Sequence, residues 1–271
     1  MGDRGMSQAR GAAREIQQSP VYQGLVQVGI IAYGIVHLLV SWLGIGLATG
    51  RQDPDKANQV GALATLSDAP MGKALLGLIM AGFAMMVIWQ VITLLVGNRE
   101  YDGGKRLQKQ FAAAARAITY GVLGFTAGKI AFGISTDQDS QKKAAGTLMS
   151  MTGGPILVGL VGLAILGYAA YQFYKGYSGA FNEDLDKDLT GRAKQVASVG
   201  FFGKGIAYLV VGVLFITASM TVDPQRAGGL DVALAELLKR PFGPVLLIVT
   251  ALGIGIYGLY CFYWARHAKQ A

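Results

Sequence analysis

Six stretches of the chain are almost wholly apolar: roughly Leu25–Ala48, Ala74–Val96, Phe111–Ile134, Ile156–Tyr174, Val196–Met220 and Val245–Trp264. A helix needs ~20 such residues to cross ~30 Å of hydrocarbon. None of the runs shows the ~10-residue alternation of a membrane-barrel strand, so the pattern predicts six helices. The first run follows a polar segment containing Arg4, Arg10 and Arg14. It is longer than the ~7–15 apolar residues of a signal peptide and has no small-residue cleavage pattern after it, which predicts a retained span.

The odd-numbered runs repeat one another. Gly34, Gly121 and Gly205 superpose, and each is followed seven residues later by a small residue, Ser41, Gly128 or Gly212. Seven residues is close to two helical turns, which puts both positions on one face. The polar connectors repeat as well. Ala62-Leu63, Thr147-Leu148 and Ala233-Leu234 each begin a pattern that ends at Pro70, Pro155 or Pro241, with Leu66, Met151 and Leu237 between. That spacing predicts a short amphipathic helix at the interface, ended by a proline that suits the first turn of the next span. The prolines are 85 and 86 residues apart, and Gly82, Gly167 and Gly253 follow each of them at the same distance.

Each unit is therefore span, interfacial helix, span. Three such units in one orientation imply an axis along the membrane normal. The expected fold is all-α: a polytopic membrane protein with six transmembrane helices in a pseudo-threefold bundle. Its segments are an N-terminal stretch (1–24), repeat 1 (25–97), a linker (98–110), repeat 2 (111–177), a second linker (178–195), repeat 3 (196–265) and a tail (266–271). The central glycines and the connectors ending in proline resemble a bacterial family, frequent in actinobacteria, of three tandem copies of the domain of unknown function numbered twelve-zero-six. The likeness spans residues 25–264 and implies the architecture but no reaction.

Composition agrees with a membrane protein. Of 271 residues, 52% are hydrophobic, 15% charged and 39 are glycine, where a soluble domain has about 25% charged residues. The single cysteine, Cys261, rules out an internal disulfide. Counting Lys and Arg, one face holds thirteen, among them Arg4, Arg10, Arg14, Arg99, Lys175 and Arg266, and the other eight. The positive-inside rule then puts both termini in the cytoplasm. The net charge of +8 fits this topology and anionic headgroups; no nucleic-acid motif accompanies it.

The polar residues within the spans are few. All sixteen acidic residues lie outside them, which argues against a proton-coupled pump. His37 stands near mid-membrane, opposite Gly124 and Tyr208 in the other repeats. It is a candidate proton-responsive or ligand-binding group, or more plainly a neutral imidazole bonded between helices. Lys204 is a candidate anion-binding group, or a side chain snorkelling to the interface. Together His37, Lys204 and Tyr208 form the candidate intramembrane polar site. Gly124 and Gly128, with the other repeat glycines, are candidates for helix packing. Tyr168, Tyr171, Tyr174 and Tyr177, then Tyr257, Tyr260, Tyr263 and Trp264, read as an interfacial anchoring belt, with a ligand-stacking cage as the alternative. The segment Asp184–Asp188 mimics a calcium loop but lacks its glycine and glutamate, and is expected to be a solvated helix end. No catalytic, metal or cofactor motif is present.

The reading that follows is a non-enzymatic cytoplasmic-membrane protein without cofactor, an accessory or scaffold subunit of an envelope complex. Its partners would be the bilayer and another membrane protein or a second copy, docking on glycine-lined grooves or on segments 97–110 and 175–195. The alternative is a transporter or channel for a small neutral or lipid-like solute along the pseudo-threefold axis.

Overall fold

The computed structural model describes residues 20–95, 103–134 and 140–269. Arg4, Arg10, Arg14 and Arg99, which weigh in the charge count, lie outside them. Six long helices alternate with three short ones: α1 (Pro20–Ala48), α2 (Gln59–Ser67), α3 (Gly72–Leu95), α4 (Gly103–Ala131), α5 (Ser140–Met149), α6 (Gly154–Ser178), α7 (Gly191–Thr221), α8 (Leu230–Leu238) and α9 (Gly243–His267). The short helices cap one end of the bundle, the connector end. The linkers between repeats are at the other, the linker end.

The chain is an all-α polytopic membrane protein. Helices α1, α3, α6, α7 and α9 are long and apolar enough to cross a membrane. At 29 residues α4 has the length, but it begins in a polar stretch and carries Arg116 and Lys129. The third predicted span therefore rests on length and position rather than on composition.

The threefold pattern lies in how the helices pair. The second span of each repeat packs along the first span of the next: α3 on α4, α6 on α7, and α9 back on α1. Pairing within a repeat is looser, α1 with α3 and α7 with α9, and α4 and α6 make no comparable contact. The ring is thus closed at five seams and slack at one. Glycine sets the tightest crossings. A methyl group on Gly29 would lie 2.6 Å from the Gly82 carbonyl oxygen, and one on Gly203 would lie 2.5 Å from Gly253 Cα. Gly34 meets Gly258 in the same way across the α1–α9 seam, at 2.9 Å. Gly167, expected to pack like Gly82 and Gly253, faces open space, and Gly121 has only Val87 near it at 3.9 Å.

The second repeat has a different register from the one its prolines suggest. Each second span begins at a glycine, Gly72, Gly154 or Gly243, preceded by a left-handed residue: Met71 (φ 62°), Gly153 (φ 75°) or Phe242 (φ 59°). The three glycine N–H groups make the same bond to the carbonyl three residues back, each at 2.8 Å. A carbonyl oxygen of the preceding short helix occupies the place of a Cβ, at 2.2, 1.8 and 2.0 Å. In this frame Pro155 sits three positions later than Pro70 and Pro241, so Ala164, not Gly167, matches Gly82. Helix α4 is displaced as well. It ends at Ala131 and Gly133 (φ 71°) as α1 ends at Ala48 and Gly50 (φ 70°), which puts Gly124 level with Ser41 and Tyr120 level with His37. Arg116 then matches Tyr33 and Lys204.

The short helices rest on the bundle. Leu63 and Leu234, matching residues of α2 and α8, are fully buried, and Ala145 takes their place in α5. Asn58 caps α2 by accepting a bond from Gly61 N–H, as a residue before a first turn does. At the linker end, residues 179–190 fold back over the helices. Phe181 and Leu185 are fully buried. The Asn182 side chain clasps Leu189 by two bonds, and Leu185 pairs with Ala268 in a single antiparallel bridge. Within the segment expected to be a solvated helix end Asp186, Lys187 and Asp188 are exposed, while Leu185 is buried and joins residues 179–190 in a plug over the bundle.

Candidate functional site

Two cavities of about 330 and 320 Å³ lie inside the ring. They share Tyr33, Thr119, Ile165, Lys204 and Tyr208 as walls, so Lys204 stands between them. The first extends to the linker end, past Arg116, Tyr168 and Trp264 to the Lys175–Asp184 pair. The second extends to the connector end, past His37 to Gln59 and Leu230. Both reach the slack seam. Ile118, Val122 and Val161 line them and are 68%, 59% and 42% exposed. The opening is therefore lateral and apolar, between two membrane-length helices.

Lys204 is 3% exposed. Helix α7 begins at Gly191, earlier than predicted, which leaves Lys204 about 20 Å along it at 1.5 Å per residue. Its side chain turns inward, toward Tyr33 and Tyr257, rather than along the helix to the interface, so the snorkelling expectation is corrected. Its ammonium donates to the Tyr33 hydroxyl at 3.0 Å and sits 3.9 Å from the centre of the Tyr257 ring. A charge at this depth costs about 2.5–3.5 kcal/mol on insertion scales. One charged hydrogen bond returns about 1.5–3 kcal/mol and a desolvated cation–π contact about 2 kcal/mol. These contacts can hold the ammonium without a counter-ion.

Arg116 reaches the cavity from α4, its Nε donating to the Gln90 side-chain oxygen at 3.2 Å. Among the described residues neither Arg116 nor Lys204 forms an ion pair with a carboxylate. His37 Nδ1–H donates to the Tyr33 carbonyl of its own helix at 2.8 Å, and its ring lies 4.3 Å from the Tyr33 ring. The Nδ1 bond of the histidine is thus made within α1 rather than between helices. Tyr33 joins the two, its carbonyl serving His37 and its hydroxyl Lys204.

At the linker end buried Lys175 and half-buried Asp184 form an ion pair. Burial alone would raise the Asp184 carboxyl; the Lys175 ammonium beside it, with Arg116 and Lys109 farther off, holds it below the usual carboxylate range. Lys109 bonds the neighbouring Glu183 at 3.1 Å. Asp186 pairs with His267 at 3.1 Å. These carboxylates are engaged by basic side chains, and no set of three metal-ligating side chains occurs among the described residues.

The structure brings His37, Lys204 and Tyr208 to the same cavity walls. The expected anchoring belt divides. Tyr174 and Tyr177 face outward at 58% and 88% exposure. Tyr168 and Tyr171 line the cavity, and Tyr257, Tyr260 and Trp264 line it from buried positions. Tyr33, Tyr120, Arg116 and Gln90 were not singled out from the sequence. Part of the signal is in the spacing: Tyr33 and His37, like Arg116 and Tyr120, stand at i and i+4 on one helical face.

The family model described as Domain of Unknown Function (DUF1206) matches residues 28–93, 111–179 and 199–268. Uncharacterized protein YxxB of Bacillus subtilis (strain 168) is 30% identical over 240 residues, covering 86% of each chain. This relative comes from a Bacillus and not from an actinobacterium. No solved structure matches the chain.

Proposed function

The chain belongs to the DUF1206 family in three tandem copies, and on that architecture we propose that it is a cytoplasmic-membrane protein, both termini inside, that binds and moves a small lipid-like solute. The observation that carries this reading is the pair of adjoining cavities opening between α4 and α6. A cavity of ~300–1,000 Å³ with a few polar groups in an apolar lining is the usual form of a ligand site. A lateral apolar mouth admits a molecule already dissolved in the bilayer. The glycine faces that favoured a scaffold are taken up within the bundle, by Gly29 with Gly82, Gly203 with Gly253 and Gly34 with Gly258. That moves the weight to the solute-binding alternative.

The test is reconstitution of the full chain in liposomes, with transbilayer movement of a fluorescent acyl-chain lipid followed by chemical quenching from outside. Accelerated movement over protein-free liposomes supports the reading. No acceleration, together with no lipid retained on purification, overturns it. A stoichiometric membrane-protein partner on gentle purification from native membranes would restore the accessory-subunit reading.

A further inference from the structure

We propose that the solute is an anionic amphiphile, its phosphate or carboxylate head held between Lys204 and Arg116 and its apolar tail leaving between α4 and α6. This rests on the lipid-like reading above and names the chemical class it would take.

Three observations converge. First, the three repeats present Tyr33, Arg116 and Lys204 at matching positions, all lining one cavity. Two are cations without a carboxylate partner among the described residues, and the third is a phenol. Second, the one carboxylate in that lining, Asp184, is engaged by Lys175. Lys204 and Arg116 are left as an excess of positive charge facing the space. Charge-assisted bonds from such donors to an oxyanion are short and strong, and a guanidinium can grip two oxygens at once. Third, Trp264, a lining residue from α9, has an indole N–H buried with no partner among the described residues. That is a further donor in a lining already rich in donors.

The tail follows from the seam. A soluble anion would need the cations but not a mouth walled by Ile118, Val122, Val161 and Ile165. A neutral lipid would need the mouth but not two buried cations. Only an amphiphile with an acidic head uses both.

The experiment is native mass spectrometry of the full chain in detergent, titrated with dioleoyl phosphatidylglycerol, dioleoyl phosphatidylcholine or inorganic phosphate. One phosphatidylglycerol should bind at least about tenfold more tightly than phosphatidylcholine. Lys204→Gln and Arg116→Gln should each weaken it about tenfold, a loss of ~1.4 kcal/mol. Lys129→Gln, outside the cavity lining, should leave it unchanged. If Lys204→Gln fails to fold, Arg116→Gln carries the test. Equal binding of both lipids, unaffected by either variant, would overturn the headgroup assignment and leave the lipid-like reading standing. Inorganic phosphate that binds alone and excludes phosphatidylglycerol would assign the site to a soluble anion, against the proposal. No bound lipid of either kind would remove both readings.

Discussion

Lys204 and Tyr33 hold the same position in repeats 3 and 1, and they meet, ammonium to hydroxyl, at 3.0 Å. Residues related by a pseudo-axis come together only near that axis. The contact therefore marks the centre of the ring and places the ammonium there. An exact threefold would put three like groups at this level; the sequence has two cations and a phenol, which avoids gathering three charges.

The buried ammonium should limit stability. Lys204→Met keeps the length of the side chain and removes a buried charge that costs about 2.5–3.5 kcal/mol to place in the membrane. Its melting temperature in detergent without added lipid should equal or exceed the parent's, while lipid binding falls. A drop of several degrees would show that the ammonium–Tyr33 bond is structural first.

Glycine crossings should discriminate between positions. Gly203→Leu drives a side chain into Gly253 Cα, where even a methyl would stand at 2.5 Å, and should cost at least the ~1–3 kcal/mol of an overpacked core. Gly167→Leu points into open space and should stay within about ±0.5 kcal/mol. Thermal melting of the two variants side by side decides it; equal losses would contradict the seams described.

The plug at the linker end should depend on pH in one direction. Asp184 is held below the usual carboxylate range, so its contribution is present above the ~3.9 of an unfolded aspartate. It is lost as pH falls through the lower folded value. Hydrogen exchange over residues 179–190, taken relative to the intrinsic rate at each pH, should stay slow through neutral and mildly acidic pH and quicken only below about 4. Asp184→Asn should quicken it at neutral pH. Loosening of the parent segment near pH 6 would contradict the pair's role.

Filling the mouth should silence the cavity without loosening the fold. Ile165 lines both cavities at the slack seam, and Ile165→Trp adds bulk into open volume. Lipid binding and transbilayer movement should fall at least about tenfold, with melting unchanged or raised, as cavity filling gives. Retained movement would place the path elsewhere.

Orientation is open to a direct test. In a Cys261→Ala background, cysteines at Asp188 and Gln225 should label from opposite sides of intact cells, Gln225 from outside. The reverse labelling would invert the positive-inside assignment.

The spans and the threefold repeat were legible because both are patterns of the local chain: apolar run length and recurring glycine. Register in repeat 2 was not. Proline is the marker that the sequence offers, whereas the shared backbone feature is a left-handed residue followed by a glycine under a carbonyl. Gly153-Gly154 carries that feature, and Pro155 falls after it. The fate of Lys204 was hidden for another reason. Its partners are Tyr33 of repeat 1 and Tyr257 of the last span, and no local pattern announces partners so far along the chain. The tyrosine rows divide between belt and cavity wall because a stripe at i, i+3 and i+7 suits a headgroup layer and a cavity wall equally well; burial separates them.

The α9–α1 seam has a consequence for biosynthesis. The principal neighbour of the first span is the last one made. Synthesis runs at about 5–20 residues per second, so α1 waits roughly 10–40 seconds for the ~200 residues to α9. Through that interval Gly34 and the surface around it lie bare in the bilayer or against an insertion factor. The chain cannot mature hairpin by hairpin, and a ribosome that stalls before Gly243 leaves an open crescent rather than a smaller version of the protein.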